Sequence, residues 1–473
     1  MTAESNPGSP SIVAGAGART ADLAIRVRTA DQSSHTGGAG TAIVREGTEQ
    51  NDLRARDGPK GASVDQSRRS VLRAASIGLA GSAALLTACE TQGSASASAP
   101  VHDLHVSHFG ATGDPAKDDA PSIQAAVDAA AALPNGRVKL HARHAFGSAV
   151  VIPRGVALVG LGARQTILSH LPGYSGWIFQ IDDAGRSGQV QAADETYTLE
   201  DDHSGVELRD FCINGLDRST VRNGIRVNRA DDLLVDNVTV MFCRGVGMQV
   251  GGWDVPDSGS VRESDFRRLR IYKCGDEGVP GLVIQNDPAN SGDGTNQLFF
   301  HQLRYVYNHS GIVVRNDNPG ETLRRVVFND MQLHGLSHSD IGNVVDHDLM
   351  LLHGNVTSVV LVNVMANSSG SGHAVVRTEG SPSAGDPSGL TMTNLNVSNC
   401  EGDVLVVDAL ADLTCSARVS TDTISGQVLR VADGAGLQSF DVRLNGTSNP
   451  ASKVSIPSSE WGNGTVLYAG QPL

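Results

Sequence analysis

Thr239-Val-Met-Phe-Cys243-Arg-Gly-Val-Gly-Met-Gln-Val250 is followed by Arg270-Ile-Tyr-Lys-Cys274-Gly-Asp-Glu-Gly278, which leads into Leu282-Val-Ile284, and then by Arg304-Tyr-Val-Tyr-Asn308-His-Ser-Gly-Ile-Val-Val314. Each stretch reads strand, tight turn, strand. Later members are Val364-Met-Ala-Asn-Ser368 leading to His373-Ala-Val-Val376, and Val397-Ser-Asn-Cys400-Glu-Gly-Asp-Val-Leu-Val-Val407, with Leu333-His334-Gly335 between. The spacing predicts one column, Cys243, Cys274, Asn308, His334, Ser368 and Cys400, with a mean step of about 31 residues. A unit of this size cannot bury its own apolar face, and stacking successive units does so, which is the logic of a solenoid. A β-sandwich would not impose a repeating column. The pattern therefore predicts an all-β, single-stranded parallel β-helix lined by inward Val, Ile and Leu.

Working outward, residues 118–133 place Ile123, Ala126, Val127, Ala130 and Leu133 at helical spacing, with Pro121 in the first turn and Pro134-Asn135-Gly136 at the end. This predicts an α-helix capping the open N-terminal end of the coil stack and covering its exposed edge. His102, His105 and His108 read as one face of a strand nearby, with no role assigned.

Composition narrows the function. Glycine numbers 54 of 473 residues and aromatic residues are 4%, so glycine exceeds its usual ~7% share without a collagen period. Net charge is −14, which argues against a nucleic-acid-binding surface. No run of 18 apolar residues is present, so no membrane-spanning helix is expected.

Residues 1–66 read as a disordered extension. Ser67-Arg68-Arg69-Ser70-Val71-Leu72 and the short apolar run Ala74–Leu86 follow, ending in Leu86-Thr87-Ala88-Cys89. The arginine pair resembles a twin-arginine export signal, and the last four residues resemble the lipobox of bacterial lipoproteins. Together the motifs imply export of a folded protein, a lipid anchor at Cys89 and residence at the bacterial cell surface. Residues 90–100 form a flexible tether, and the β-helix domain is expected over 101–473. Because such signals stand at a chain start, translation is expected to begin downstream of Met1, near Val64. From Cys89 onward 27 basic residues face 43 acidic ones, a net charge of −16.

Phe109-Gly-Ala-Thr-Gly-Asp114, then Asp118-Asp119, then Ile123-Gln-Ala-Ala-Val127, resemble the opening of the pectate lyase superfamily domain, which includes rhamnogalacturonase- and epimerase-like proteins. Val156-Ala-Leu-Val-Gly-Leu-Gly162 and Thr166-Ile-Leu168 resemble its first coil. The resemblance implies a right-handed coil and carbohydrate chemistry in an extended groove.

Side chains on one face of consecutive coils stack about 4.8 Å apart. The turn column thereby gathers Arg244, Asp276, Glu277 and His309 as candidate catalytic residues. A hydrolase needs one protonated carboxyl for the leaving oxygen and one carboxylate to activate water, and Asp276 with Glu277 fits that pair. A lyase needs a base beside a uronate carboxylate and a cation to neutralise it. Arg244 or His309, with an acid-bound Ca²⁺, fits that chemistry. Gly275-Asp-Glu277 and Asn308-His-Ser-Gly311 loosely resemble polygalacturonase elements, but no Asn-Thr-Asp or Arg-Ile-Lys accompanies them.

Ile284-Gln-Asn-Asp287 and Val314-Arg-Asn-Asp317 match at a spacing of 30. Asn286 over Asn316 predicts an amide ladder, and Asp287, Arg315 and Asp317 border a candidate substrate groove. Loops at 185–204, 251–264, 285–297, 337–348 and 379–389 are long enough to wall it. Trp253 and Trp177 stand near two of these loops and could stack on sugar faces. Cys243 and Cys274 occupy equivalent positions, open to a disulfide or to two stacked buried thiols, and the states of Cys212, Cys400 and Cys415 are also open. The functional expectation is a polysaccharide-acting lyase or hydrolase. A non-catalytic glycan-binding or adhesion β-helix is the alternative, and a spike-like structural protein is a third reading.

Overall fold

The computed structural model describes residues 102–182, 205–252, 260–286, 294–335, 347–367, 370, 372–420, 423–446, 451–461 and 464–473. The extension, export signal, Cys89 and tether lie outside them, as do Trp253 and Asp287.

The chain is a right-handed, single-stranded parallel β-helix. Among the described residues the named strands pair in parallel, except Gly464–Tyr468 with Gln471–Pro472, an antiparallel pair at the C-terminal end. Most coils contribute to three sheets. In one coil, sheet 1 receives Val261–Arg267, sheet 2 Arg270–Tyr272 and sheet 3 Leu282–Gln285. Each pairs with its counterpart one coil later, as in Phe266 with Phe300, Ile271 with Tyr305 and Leu282 with Ile312.

The three sheets meet at corners built from single left-handed residues. Asp232, Glu263, Gln297, Arg325 and Ser358 turn the chain into sheet 1, and Asp210, Asn237, Arg268, Gln302, Asp330, Asn363 and Asn394 carry it into sheet 2. Phe242, Lys273 and Tyr307 lead out of sheet 2. One left-handed residue redirects a strand with the fewest residues. Short polar side chains at the second corner offset its cost by bonding between coils: Asn237 Nδ2 donates to Asp210 Oδ1 at 2.6 Å, Asn363 to Asp330 at 2.9 Å and Asn394 to Asn363 at 2.9 Å.

The core follows from alternation. Val240, Ile271, Tyr305 and Leu333 point inward in one file of sheet 2, all essentially unexposed. In sheet 1, Phe266, Phe300 and Phe328 stack with ring centroids 4.4 and 4.8 Å apart and planes within 18°. The N-terminal helix runs Ala120–Ala131 and buries Ile123, Ala126, Val127 and Ala130 against the first strands, where the cap was expected. Asp119 just before it is buried and accepts hydrogen bonds from Thr112 N at 2.8 Å and Gly113 N at 2.9 Å. It also meets His144 Nδ1 at 2.7 Å. The Phe109–Asp114 motif is thus a turn clamped by a carboxylate.

Three sequence expectations need correction. The column holds at Cys243, Cys274 and Asn308, because Met241 pairs with Tyr272 and Tyr272 with Val306. His334, however, pairs with Val306, two positions before Asn308. Asn367 pairs with Ser398, and Ser368 lies outside the described residues. Loops of unequal length moved the alignment. Asn286 and Asn316 do lie in register, but their amides do not form the ladder: Asn286 Oδ1 accepts from Thr295 N in its own loop, and Asn316 Nδ2 donates to Glu321 O in its own loop and to Asn355 O of the next coil. The ladder is instead at the second corner. Finally, the strand His102–His105 ends in a 3₁₀ turn, Val106–Phe109, so the three histidines do not share a strand face.

Cys212, Cys243, Cys274, Cys400 and Cys415 are buried and not disulfide-bonded. Burial pushes the Cys212 and Cys415 thiols up to about 12, which makes them inert as nucleophiles.

Candidate functional site

The first-choice residues lie where sheet 2 hands the chain to sheet 3. Asp276 and Val279 exchange two backbone hydrogen bonds of 3.0 Å, closing a tight turn with Gly278 at φ 69°. Glu277 sits at the exposed tip. Asp276 is gripped by arginines from two earlier coils. Arg244 Nε donates to its Oδ2 at 2.5 Å, and Arg218 Nη2 lies 3.7 Å from its Oδ1. Arg218 also donates to Lys273 O at 2.8 Å and Gly275 O at 2.6 Å, so one guanidinium staples coils two apart. Gly275 is required there: it holds φ 80°, and a Cβ would stand 2.6 Å from Ser310 Oγ and 2.7 Å from Val279 O.

Partial burial opposes the Asp276 charge, but the Arg244 hydrogen bond, the Glu277 amide and the two guanidiniums outweigh it and hold the carboxyl below its usual range. Such a group is ionised at neutral pH and has no proton for a leaving oxygen. His309 is half-buried beside this staple. Burial and the Arg218 charge push its imidazole down to about 4, with Asp276 pulling the other way. Its Nε2 is buried without a hydrogen-bond partner. The structure therefore joins Arg244 with Asp276, adds Arg218 and His309, and leaves Glu277 apart at the turn tip.

A second cluster occupies the outward face of sheet 3. Gln285 pairs with Arg315, Arg315 with His353, and His353 with Glu379, a file across four consecutive coils. Alternation places them outward, because Ile284, Val314 and Leu352 beside them point into the core. Arg315 Nε donates to Gln285 Oε1 at 3.0 Å. His353 Nε2 is 3.1 Å from Asp317 Oδ1, and His353 Nδ1 is 3.7 Å from Glu379 Oε2. Ser381 Oγ donates to Asp317 Oδ1 at 3.0 Å from the turn closed by Ser381 and Gly385. Arg377 adds a further charge: its Nε is 2.7 Å from Asp348 and 3.9 Å from Glu379, and its Nη1 is 2.7 Å from Asp408. Burial works against the Arg377 charge, but Asp348 and Asp408 outweigh it and hold the guanidinium above its ordinary value.

This cluster has the parts of a proton-transfer site: an imidazole, a carboxylate that orients it, a second carboxylate, and guanidiniums on the same face. His353, Asp317 and Glu379 remain open to solvent, at 26%, 29% and 41% of side-chain area. Sequence reading named Arg315 and Asp317 as groove residues and missed His353, Glu379 and Arg377. The signal was available: Leu352-His353-Gly354 and Thr378-Glu379-Gly380 continue the Ile284-Gln285 and Val314-Arg315 column. Among the described residues, no three His, Cys, Asp or Glu side chains converge as a metal site requires. Asp276 already serves two guanidiniums, so the donors beside it do not fit Ca²⁺.

No family model matches the chain. Over 81 residues it is 37% identical to the mannuronan C5-epimerase AlgE3 of Azotobacter vinelandii, a stretch that is 15% of this chain and 4% of that protein. Among solved structures, ORF18 of Geobacillus virus E2 matches with a TM-score of 0.54 at 14% identity, over 78% of this chain and 63% of the other. The enzymatically active domain of tailspike protein 2 from bacteriophage CBA120 matches with a TM-score of 0.52 at 13% identity, over 78% of this chain and 52% of the other. The chain spans less than two thirds of each. At these identities the structural likeness is one of fold, and chemistry has to be argued from the site.

Proposed function

We propose that this chain is a polysaccharide-acting enzyme that cleaves a uronic-acid-containing glycan by β-elimination on the outward face of sheet 3. The observation that carries the reading is the file Arg315, His353, Glu379, with Asp317 on the imidazole. With Nε2–H donated to Asp317, the lone pair of His353 sits on Nδ1, which makes His353 the base. Arg315, one rung away, pairs with the uronate carboxylate and stabilises the negative charge that develops when the neighbouring C5 proton leaves. Nδ1 takes that proton, the C5–H electron pair forms the C4=C5 double bond, and the C4–O bond breaks. The departing oxygen takes a proton from water. The local likeness to a protein named for epimerising mannuronan supports a uronate as the substrate.

Hydrolysis is a second reading, favoured by two carboxylates, Asp317 and Glu379, that both approach the His353 ring, since hydrolases use a carboxylate pair held roughly 5–9 Å apart. Incubating the protein with polymannuronate and with polygalacturonate decides between them. Ultraviolet absorbance from a new double bond supports elimination, and new reducing ends without it support hydrolysis. Retention of either polymer with no product supports the glycan-binding alternative.

We further propose export through the twin-arginine pathway and a lipid anchor at Cys89, supported by Arg68-Arg69 and Leu86-Thr87-Ala88-Cys89 in that order. The glycan would then meet the enzyme at the outer surface of the cell.

A further inference from the structure

The outward face of sheet 2 carries a feature that the site on sheet 3 does not use. Arg270, Arg304, Gln332, Met365, Asn396 and Arg418 pair one to the next, coil by coil, as an unbroken outward file. Five steps of about 4.8 Å make it about 24 Å long, the length of a short oligosaccharide. At one end Tyr272 stands between Phe242 and Tyr307, with ring centroids 5.6 and 6.0 Å apart. All three rings are partly exposed. Arg270 lies over Tyr272 at 5.0 Å, and Lys273 reaches Phe242 and Tyr272 at 5.9 and 5.4 Å. Phe242 and Tyr307 hold φ of 58° and 56°, a conformation bulky residues rarely adopt. At the other end the file runs into a groove of about 740 Å³ whose lining includes His334, Met365, Asn367, Asn396, Ser398 and Arg418.

Charge sets this face apart. The described strands of sheet 2 place no carboxylate at an outward position between Thr239 and Asn445. They place Arg270, Arg304 and Arg418 there, although the chain carries −14 overall. A basic file on an acidic protein attracts a polyanion. The amides along the groove suit sugar hydroxyls, and aromatic faces suit the apolar faces of sugar rings.

We infer that the outward face of sheet 2 binds an acidic polysaccharide chain laid along the coil axis, as a track separate from the reacting residues on sheet 3. The track holds the polymer while sheet 3 works on another part of it. This inference stands on its own geometry and survives if the elimination chemistry is wrong.

The test is affinity electrophoresis and calorimetry of the full chain with polymannuronate, with neutral dextran as control. All binding variants are placed on an inactive His353→Gln background. Reversing the two exposed charges, Arg304→Glu with Arg418→Glu, should weaken polymannuronate binding about tenfold or more and leave the thermal melt unchanged. Tyr272→Ala should also weaken it, and its partial burial makes the charge pair the cleaner variant. With His353 intact, turnover of a short uronate oligomer should not change in the charge-reversal variant. Unchanged polymannuronate affinity in that variant would overturn the inference. So would equal binding of dextran, which would remove the acidic ligand, or of a DNA oligonucleotide, which would remove the glycan.

Discussion

His353 Nε2 stands 3.1 Å from Asp317 Oδ1, although the two residues are 36 positions apart in the chain. The coil stack brings them together: His353 is outward on one strand, and Asp317 follows the paired strand one coil earlier. An imidazole held by a carboxylate at one nitrogen can act as a general base through the other, here Nδ1, which lies 3.7 Å from Glu379 Oε2.

Removing that base should cost rate and leave the fold intact. His353→Gln is expected to lower kcat on a polyuronate by about 10²–10⁴-fold. Asp317→Asn, which loosens the ring's orientation and tautomer, should lower it by a smaller factor. Both residues are partly exposed, so thermal melts should stay close to that of the unsubstituted protein.

Substitution at the Asp276 corner should produce the opposite pattern. Arg218 joins coils by donating to Lys273 O and Gly275 O, so Arg218→Ala should cost about 1–3 kcal/mol in denaturant unfolding. Asp276→Asn breaks partly exposed ion pairs and should cost no more than about 1 kcal/mol. Glu277→Gln should do nothing measurable. None should change kcat by the factor seen at His353, and a rate collapse in Asp276→Asn would move the chemistry to this corner.

Acid should destabilise the N-terminal coils. Burial pushes His170 down to about 4, with Gly176 O and Asn223 O accepting from its Nε2 and pulling the other way. Burial also lowers His144, despite its bond to Asp119. A histidine lowered from its unfolded value near 6.5 contributes stability that is present above about pH 6.5 and is lost as pH falls through the folded value. Asp119, held below its ordinary value by Thr112, His144 and Gly113 against the effect of burial, adds a loss in the same direction at lower pH. The His170 share alone is on the order of 3 kcal/mol between pH 7 and pH 4. Guanidinium unfolding at pH 7 and pH 5 should show the decline, and His170→Gln should flatten it.

The phenylalanine stack should mark cooperative stability along the coil axis. Phe300 lies between Phe266 and Phe328 with both rings within 4.8 Å. Phe300→Ala is expected to cost about 3–5 kcal/mol, read from the unfolding midpoint. At the other end of the chain, Cys89→Ser should move the protein from the membrane fraction to the soluble one, which fractionation and lipid labelling check directly.

The coil stack was legible because its inward residues repeat: a core position must be apolar in every coil, and the Cys243, Cys274, Asn308 file marks one column through three successive coils. The corners were harder to read. A single left-handed residue suffices at each, and it is Asp in one coil, Asn in another and Arg or Gln in others, so no residue type announces it. His334 slipped from the column for a related reason, since the loops outside the stack vary in length without disturbing the core. The cluster on sheet 3 was half-read at Arg315 and Asp317. It was lost at His353 and Glu379 because outward residues obey no apolar rule, and only the register of the inward neighbours locates them. Asp276 and Glu277 stood out in sequence as adjacent acids, yet adjacent residues in a tight turn diverge, one into the arginine staple and one into solvent.

The most direct measurement is a crystal structure of the His353→Gln protein soaked with a short uronate oligomer. The account predicts a sugar on the outward face of sheet 3, with its carboxylate on Arg315 and its C5 facing residue 353. A bound oligomer whose carboxylates avoid Arg315, or one centred on Asp276 and His309, would contradict it.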